Sequence, residues 1–194
     1  LFYNNDNILH SGPVFYARLN GTKETEGYLK NGKLDGEWIT FYENGQIVLK
    51  EFYSNGLKND SYNSWYENGG KWQVGNFIDG EKNGLWILYE NGKIKSEQNF
   101  SNGREHGLLT VYDDGGKSVA TYENGKQKGK FTQWNKNGII IADAFLIENV
   151  MNGLSTSWYG DGQKKSEASF INGKIEGLGT NWYQNGQKKD ESNY

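Results

Sequence analysis

The chain has 194 residues, a net charge of −3, only 35% hydrophobic residues and a mean hydropathy of −0.86, yet 15% of it is aromatic. That aromatic share argues against disorder, and the weak acidity gives no global attraction to phosphate backbones or anionic lipid, so neither nucleic-acid partners nor specific membrane binding are expected. Cysteine is absent, which excludes disulfides, thiolate metal sites and cysteine nucleophiles.

Along the chain a unit of about 23 residues recurs. It shows first as Tyr28 before Asn31-Gly32, then Phe41-Tyr42 before Asn44-Gly45, then Phe52 before Asn55-Gly56. One series runs through Tyr42, Tyr66, Tyr89, Tyr112, Asn135, Tyr159 and Tyr183, each followed two residues later by Asn-Gly or Asp-Gly. The residues just before them are Phe41, Trp65, Leu88, Val111, Trp134, Trp158 and Trp182. A second series, Tyr28, Phe52, Phe77, Phe100, Tyr122, Phe145, Phe170 and Tyr194, precedes the other turn of each unit.

Of the 27 glycines, 17 follow Asn or Asp. Such pairs favour two-residue hairpin turns whose central residues both take positive φ, so each unit is expected to be a β-hairpin joined to the next by another tight turn. The fold class expected is all-β: tandem β-hairpin repeats forming an elongated, twisted antiparallel meander sheet. A single hairpin buries too little to offset the entropy of ordering its residues, so stability must come from stacking on neighbours. About eight units are expected to form one array over 1–194, with both ends expected to fall within a repeat and repeat character already present at Phe2-Tyr3.

Alternation places Ile39 and Phe41, Trp86 and Leu88, and Leu109 and Val111 on an apolar face, and Thr40, Ser64, Thr110 and Ser157 with the tyrosines on the other. Two units depart from the pattern. Asp60-Ser61 stands where other units have a glycine (Gly36, Gly84, Gly107, Gly129, Gly153, Gly177), and residues 148–152 replace a tight Asn-Gly turn; bulges or bends are expected at both.

The run Phe170-x-Asn172-Gly173-Lys174-x-x-Gly177, followed by Trp182-Tyr183-x-Asn185-Gly186-Gln187-Lys188-Lys189, resembles the bacterial variant of the MORN repeat. The resemblance implies an extended hairpin array. Proteins of this type include YwqK-type antitoxins of toxin–antitoxin systems, which implies a protein partner, a toxin among the candidates.

Catalysis is not expected. His10 and His106 read as one repeat position in a solvated turn, the paired carboxylates lie at turns, and no phosphate-binding glycine motif is present, so no catalytic, cofactor-binding or metal residues are assigned. Lys164-Lys165 and Lys188-Lys189 suggest a basic edge stripe. The candidate partner-binding residues are Tyr42, Tyr66, Tyr89, Tyr112, Tyr159 and Tyr183, because tyrosine offers rigid contact area with a polar tip. The expectation is a non-enzymatic protein-binding scaffold of antitoxin type; a self-associating surface protein and a membrane-apposed scaffold are the alternatives. The compartment would be the bacterial cytoplasm for an antitoxin, or the cell surface or periplasm if a signal peptide has been removed, as a chain beginning at Leu1 allows. Oligomeric state is left open.

Overall fold

The computed structural model describes residues 8–194; Phe2-Tyr3 lie outside them. All described regular structure is β. The strands are β1 (Gly12–Ala17), β2 (Lys23–Lys30), β3 (Lys33–Leu34), β4 (Gly36–Phe41), β5 (Ile47–Ser54), β6 (Leu57–Trp65), β7 (Lys71–Ile78), β8 (Glu81–Glu90) and β9 (Lys93–Ser101). They continue as β10 (Arg104–Asp113), β11 (Gly116–Glu123), β12 (Lys126–Trp134), β13 (Ile140–Ile147), β14 (Val150–Met151), β15 (Gly153–Trp158), β16 (Lys164–Ile171), β17 (Lys174–Trp182) and β18 (Lys188–Asn193). Two compact units divide the chain. One extends to Ile94 and includes Phe100–Gly103; the other comprises Lys95–Asn99 and Arg104–Tyr194. Within each, strands pair antiparallel with their chain neighbours as a meander.

The Asn-Gly pairs serve two different turns, not one. After the second aromatic series both residues take positive φ, as at Asn55 (51°) and Gly56 (87°), which is the expected two-residue turn. After Tyr42, only Gly45 is positive (82°). There the Tyr42 N–H donates to the Gln46 carbonyl at 2.8 Å and the Gly45 N–H to the Tyr42 carbonyl at 3.0 Å, a three-residue loop. Asn44 is chosen for its side chain, whose Oδ1 accepts from the Gln46 N–H at 2.9 Å. Asn68, Asp161 and Asn185 do the same.

Within each compact unit, successive repeats stack through backbone at the two-residue turns. In the first unit the Gly32, Gly56 and Gly80 N–H groups donate to the carbonyls of His10, Leu34 and Lys58 at 2.7, 2.8 and 2.7 Å. In the second, Gly125, Asn149 and Gly173 donate to Glu105, Gln127 and Met151 at 2.9, 3.0 and 2.9 Å. Both sequence departures therefore keep the repeat's backbone. Glu148 (51°) and Asn149 (70°) form the same turn as an Asn-Gly pair, and Asp60 takes φ 79° where Gly36 has 86°. The bulge expected at Asp60 is present, and it is shared with the glycine-bearing units; at residues 148–149 there is a turn instead.

The faces differ from the expected assignment. Cross-strand partners share a face, and the pairs Trp38↔Glu51, Thr40↔Leu49, Leu49↔Ser64, Ser64↔Gln73 and Gln73↔Leu88 put Trp38, Thr40, Ser64 and Leu88 together, with Trp86 two residues from Leu88. Ile39 lies on the opposite side, in a row with Lys50, Asn63, Val74 and Ile87. Counting from the bulge glycine explains the error. Tyr89 and Tyr112 stand five residues after Gly84 and Gly107, as Phe41 does after Gly36, whereas Tyr42 stands six after. β8 and β10 are one residue shorter before their turns, so aligning the units on tyrosine inverted the faces there.

In the first unit, aromatic packing forms the core on the Trp38 face. Trp86, 3% exposed, meets Tyr62 (5.1 Å between centroids), Phe77 (5.0 Å) and Phe100 (6.3 Å), and the Lys82 ammonium lies 4.1 Å from its ring. Its Nε1 donates to the Asn76 carbonyl at 3.1 Å. Gly75 provides the seat, since a Cβ there would come within 2.3 Å of the indole. Beside this cluster Glu51 is buried; it accepts from the Tyr53 hydroxyl at 2.8 Å and pairs ionically with Lys58. Burial and the Glu51 carboxylate push the Tyr53 hydroxyl above the usual phenol range.

The second unit adds a polar ladder on the face equivalent to Ile39. Thr132, Asp143, Thr156, Glu167, Thr180 and Glu191 face one another across six strands. Thr132, Thr156 and Thr180 donate to Asp143, Glu167 and Glu191 at 3.2, 3.1 and 3.2 Å, while Lys130, Lys164 and Lys188 close on the same carboxylates at 3.0, 2.8 and 2.5 Å.

Candidate protein interface

Tyr42, Tyr66, Tyr159 and Tyr183 open three-residue turns, whereas Tyr89 and Tyr112 precede two-residue turns in which Asn91-Gly92 and Asp114-Gly115 both take positive φ, so the series is not one uniform surface. Tyr42, Tyr66 and Tyr159 reach one unit ahead: their hydroxyls donate to the carbonyls of Trp65, Tyr89 and Trp182 at 2.9, 3.0 and 2.9 Å. These three are staples between successive repeats. Asn135, in the same position, sends Nδ2 to the Gly160 carbonyl at 2.9 Å. Arg18 is the member that counting tyrosines missed. Its turn closes like the others, Arg18 N–H to Thr22 carbonyl at 2.8 Å, and its Nη2 donates to the Phe41 carbonyl at 2.5 Å. The signal was Asn20-Gly21 two residues on.

Tyr89 and Tyr112 occupy the ladder position that Trp65 and Trp134 hold elsewhere. Tyr112 is exposed and donates its hydroxyl to Glu97 Oε2 at 2.9 Å; that hydrogen bond, with some burial, raises its pKa above the ordinary phenol value. Tyr183 is also exposed. Trp72, the extra residue of the bulge opposite Trp65, is exposed too and sits 6.1 Å from the Tyr66 ring.

Lysines dress this edge repeatedly. Lys23 lies 5.6 Å from the Phe41 ring, Lys117 5.1 Å from Trp134, Lys164 5.2 Å from Trp182, Lys165 5.8 Å from Tyr159 and Lys189 6.0 Å from Tyr183. The expected stripe at Lys164-Lys165 and Lys188-Lys189 is thus partly spent: Lys164 and Lys188 pair with Glu167 and Glu191, and Lys165 and Lys189 cover tyrosines. Shallow grooves lie between successive turns. Tyr66, Glu67 and Asn68 face Glu90 and Asn91 across about 500 Å³, and Tyr112 and Lys117 face Trp134 and Lys136 across about 420 Å³. The first groove carries carboxylates and the second ammonium groups, so the two differ in charge.

His10 and His106 do not share a repeat position. The His10 carbonyl accepts from the Gly32 N–H, the role that Glu105, beside His106, plays for Gly125. Among the described residues no group of three or more His, Cys, Asp or Glu is arranged to hold a metal ion. Asp161 has its carboxyl held below the usual range by the Gln184 side-chain amide, 2.8 Å away, and by the Gln163 N–H; this is turn chemistry.

No curated protein matches the chain. MORN repeats generally mediate binding to proteins or membranes. The MORN repeat variant is found at three places in this chain, residues 34–55, 82–102 and 151–172, each spanning a two-residue-turn strand, a three-residue or shortened tyrosine turn, and the strand that returns from it.

Proposed function

We propose that this protein is a non-enzymatic, protein-binding repeat scaffold that docks its partner along the tyrosine-turn edge. The observation that carries this reading is the recurrence, unit after unit, of an aromatic ring, a lysine and a shallow groove at one end of the strands, built on a backbone that the neighbouring units hold in place. Exposed aromatic rings with polar tips, supported by a rigid frame, are suited to partner contact. The resemblance to YwqK-type antitoxins suggests that the partner is a toxin, neutralised when the array covers its working surface. The net charge of −3 disfavours the membrane-apposed alternative.

Affinity capture from the source cells with mass-spectrometric identification, using the wild-type chain beside Tyr112→Glu and Tyr183→Glu, tests the reading. One partner retained by the wild type and lost by both variants, with circular dichroism unchanged, supports it. Capture that the two charges leave undiminished, or a turnover by the purified chain that one substitution abolishes, refutes it.

A further inference from the structure

The second unit carries an apolar patch on the face of the threonine ladder, toward the two-residue turns. Phe145, Ile147, Val150, Leu154, Ile171 and Leu178 are each between 42% and 56% exposed. Register brings them together: Ile147 pairs with Val150 on neighbouring strands, and Leu154 pairs with Ser169, the residue between Ala168 and Phe170 at the bulge opposite Gly179, next to Leu178. At roughly 180 Å² for a fully exposed side chain of this size, half-exposure of six leaves on the order of 500 Å² of apolar surface, the upper range for a monomer's largest patch. The same face of the first unit is broken up by polar residues: Glu37 opposes Phe52, and Ser61 opposes Asn76.

We infer that this patch is a self-association face, on which a second copy of the chain packs sheet to sheet about a two-fold axis. Area and charge both favour a second copy. Two patches bury on the order of 1,000 Å² of apolar surface before any rim is counted, and a rim of half-exposed lysine and carboxylate brings the total into the range of stable interfaces, about 1,200–2,000 Å². Along that rim Asp143, Glu167 and Glu191 alternate with Lys130, Lys164 and Lys188, a pattern that complements itself when turned by a two-fold axis. The tyrosine turns of this unit stand at the other ends of the strands, so the dimer would carry two copies of the edge assigned above to partner binding. The inference stands without that assignment.

Sedimentation velocity on the full chain at micromolar concentration gives the mass. The expected value is twice the 22.0 kDa of one copy, falling to one copy in Leu154→Lys and in Phe145→Lys, and unchanged in Ile78→Lys, an equally exposed apolar residue of the first unit. Because the chain has no cysteine, Ser169→Cys supplies a second measurement that does not depend on destabilising anything: a flexible bis-maleimide linker should yield a covalently linked dimer on a denaturing gel. A wild-type chain that sediments as one copy overturns the proposal and leaves the patch to a different occupant. Dimers that survive both lysine substitutions, dissociate equally with Ile78→Lys, or leave Ser169→Cys uncrosslinked overturn it as well. Loss of partner capture in Tyr112→Glu with the dimer intact would separate this face from the docking edge.

Discussion

Replacing Gly75 by alanine should destabilise the protein, although in most strands the same change is mildly favourable. The backbone of Gly75 lies outside the left-handed region, so alanine would suit it, and narrowing the unfolded ensemble alone would stabilise by about 0.4–1 kcal/mol. Space decides the sign. The added Cβ would lie 2.3, 2.4 and 2.7 Å from Cδ2, Cε2 and Cγ of Trp86, where ordinary carbon contacts need about 3.5–4.0 Å. The indole must move by more than an ångström, yet it is held by Tyr62, Phe77, Lys82 and the Asn76 carbonyl. If the ring shifts within the cluster, overpacking costs about 1–3 kcal/mol. If it is expelled, the burial of about 150–250 Å² is lost, about 4–6 kcal/mol at ~25 cal/mol per Å². The expected net loss is about 2–4 kcal/mol, read by urea denaturation followed by tryptophan fluorescence and circular dichroism. A Trp86→Leu background supplies the control, because without the ring Gly75→Ala should become neutral or slightly stabilising. Equal losses in both backgrounds, or a Gly75→Ala chain as stable as wild type, would refute the packing account.

Three further outcomes follow from the geometry. Asp60→Gly, which relieves φ 79°, should stabilise by about 0.5–1 kcal/mol, and Glu148→Asn with Asn149→Gly should do likewise at 51° and 70°; thermal melts would show raised midpoints. Tyr159→Phe should cost about 1–2 kcal/mol, because the part-buried Trp182 carbonyl loses its donor, while Tyr183→Phe, whose hydroxyl makes no such bond among the described residues, should be near neutral in the same melts. Glu167 and Glu191 are held below the ordinary carboxylate range chiefly by hydrogen bonds from Lys164 and Lys188. A folded-state pKa below the unfolded value gives stability that is present above about pH 4.3 and lost as pH falls through the folded value, so the melting midpoint should drop below about pH 4, and drop less in Glu167→Gln.

Much of the fold was legible because the repeat writes its turns in residues that few other structures need. Fourteen Asn-Gly or Asp-Gly pairs in the turns located the hairpins, and aromatic residues at fixed offsets located the strands. The site was less legible. A tyrosine whose hydroxyl staples the next repeat and one that stands exposed on the ladder carry the same kind of turn pair two residues on, Tyr66 before Asn68-Gly69 and Tyr112 before Asp114-Gly115 being the plainest case. Arg18 shows the converse, a staple with no tyrosine at all.

By itself, the sequence determined that this is an antiparallel hairpin array with two turns per unit, since the left-handed backbone of those turns admits few residues other than Asn, Asp and Gly. Which side chains share a face was decided only in three dimensions. Strand alternation has period two, so the single residue missing before Tyr89, and again before Tyr112, moves those tyrosines to the opposite side from Tyr42, and only cross-strand pairing shows where the count restarts. Tertiary structure likewise decided that Gly75 seats an indole, a role that comes from a neighbouring strand and leaves no mark in the glycine's own sequence surroundings.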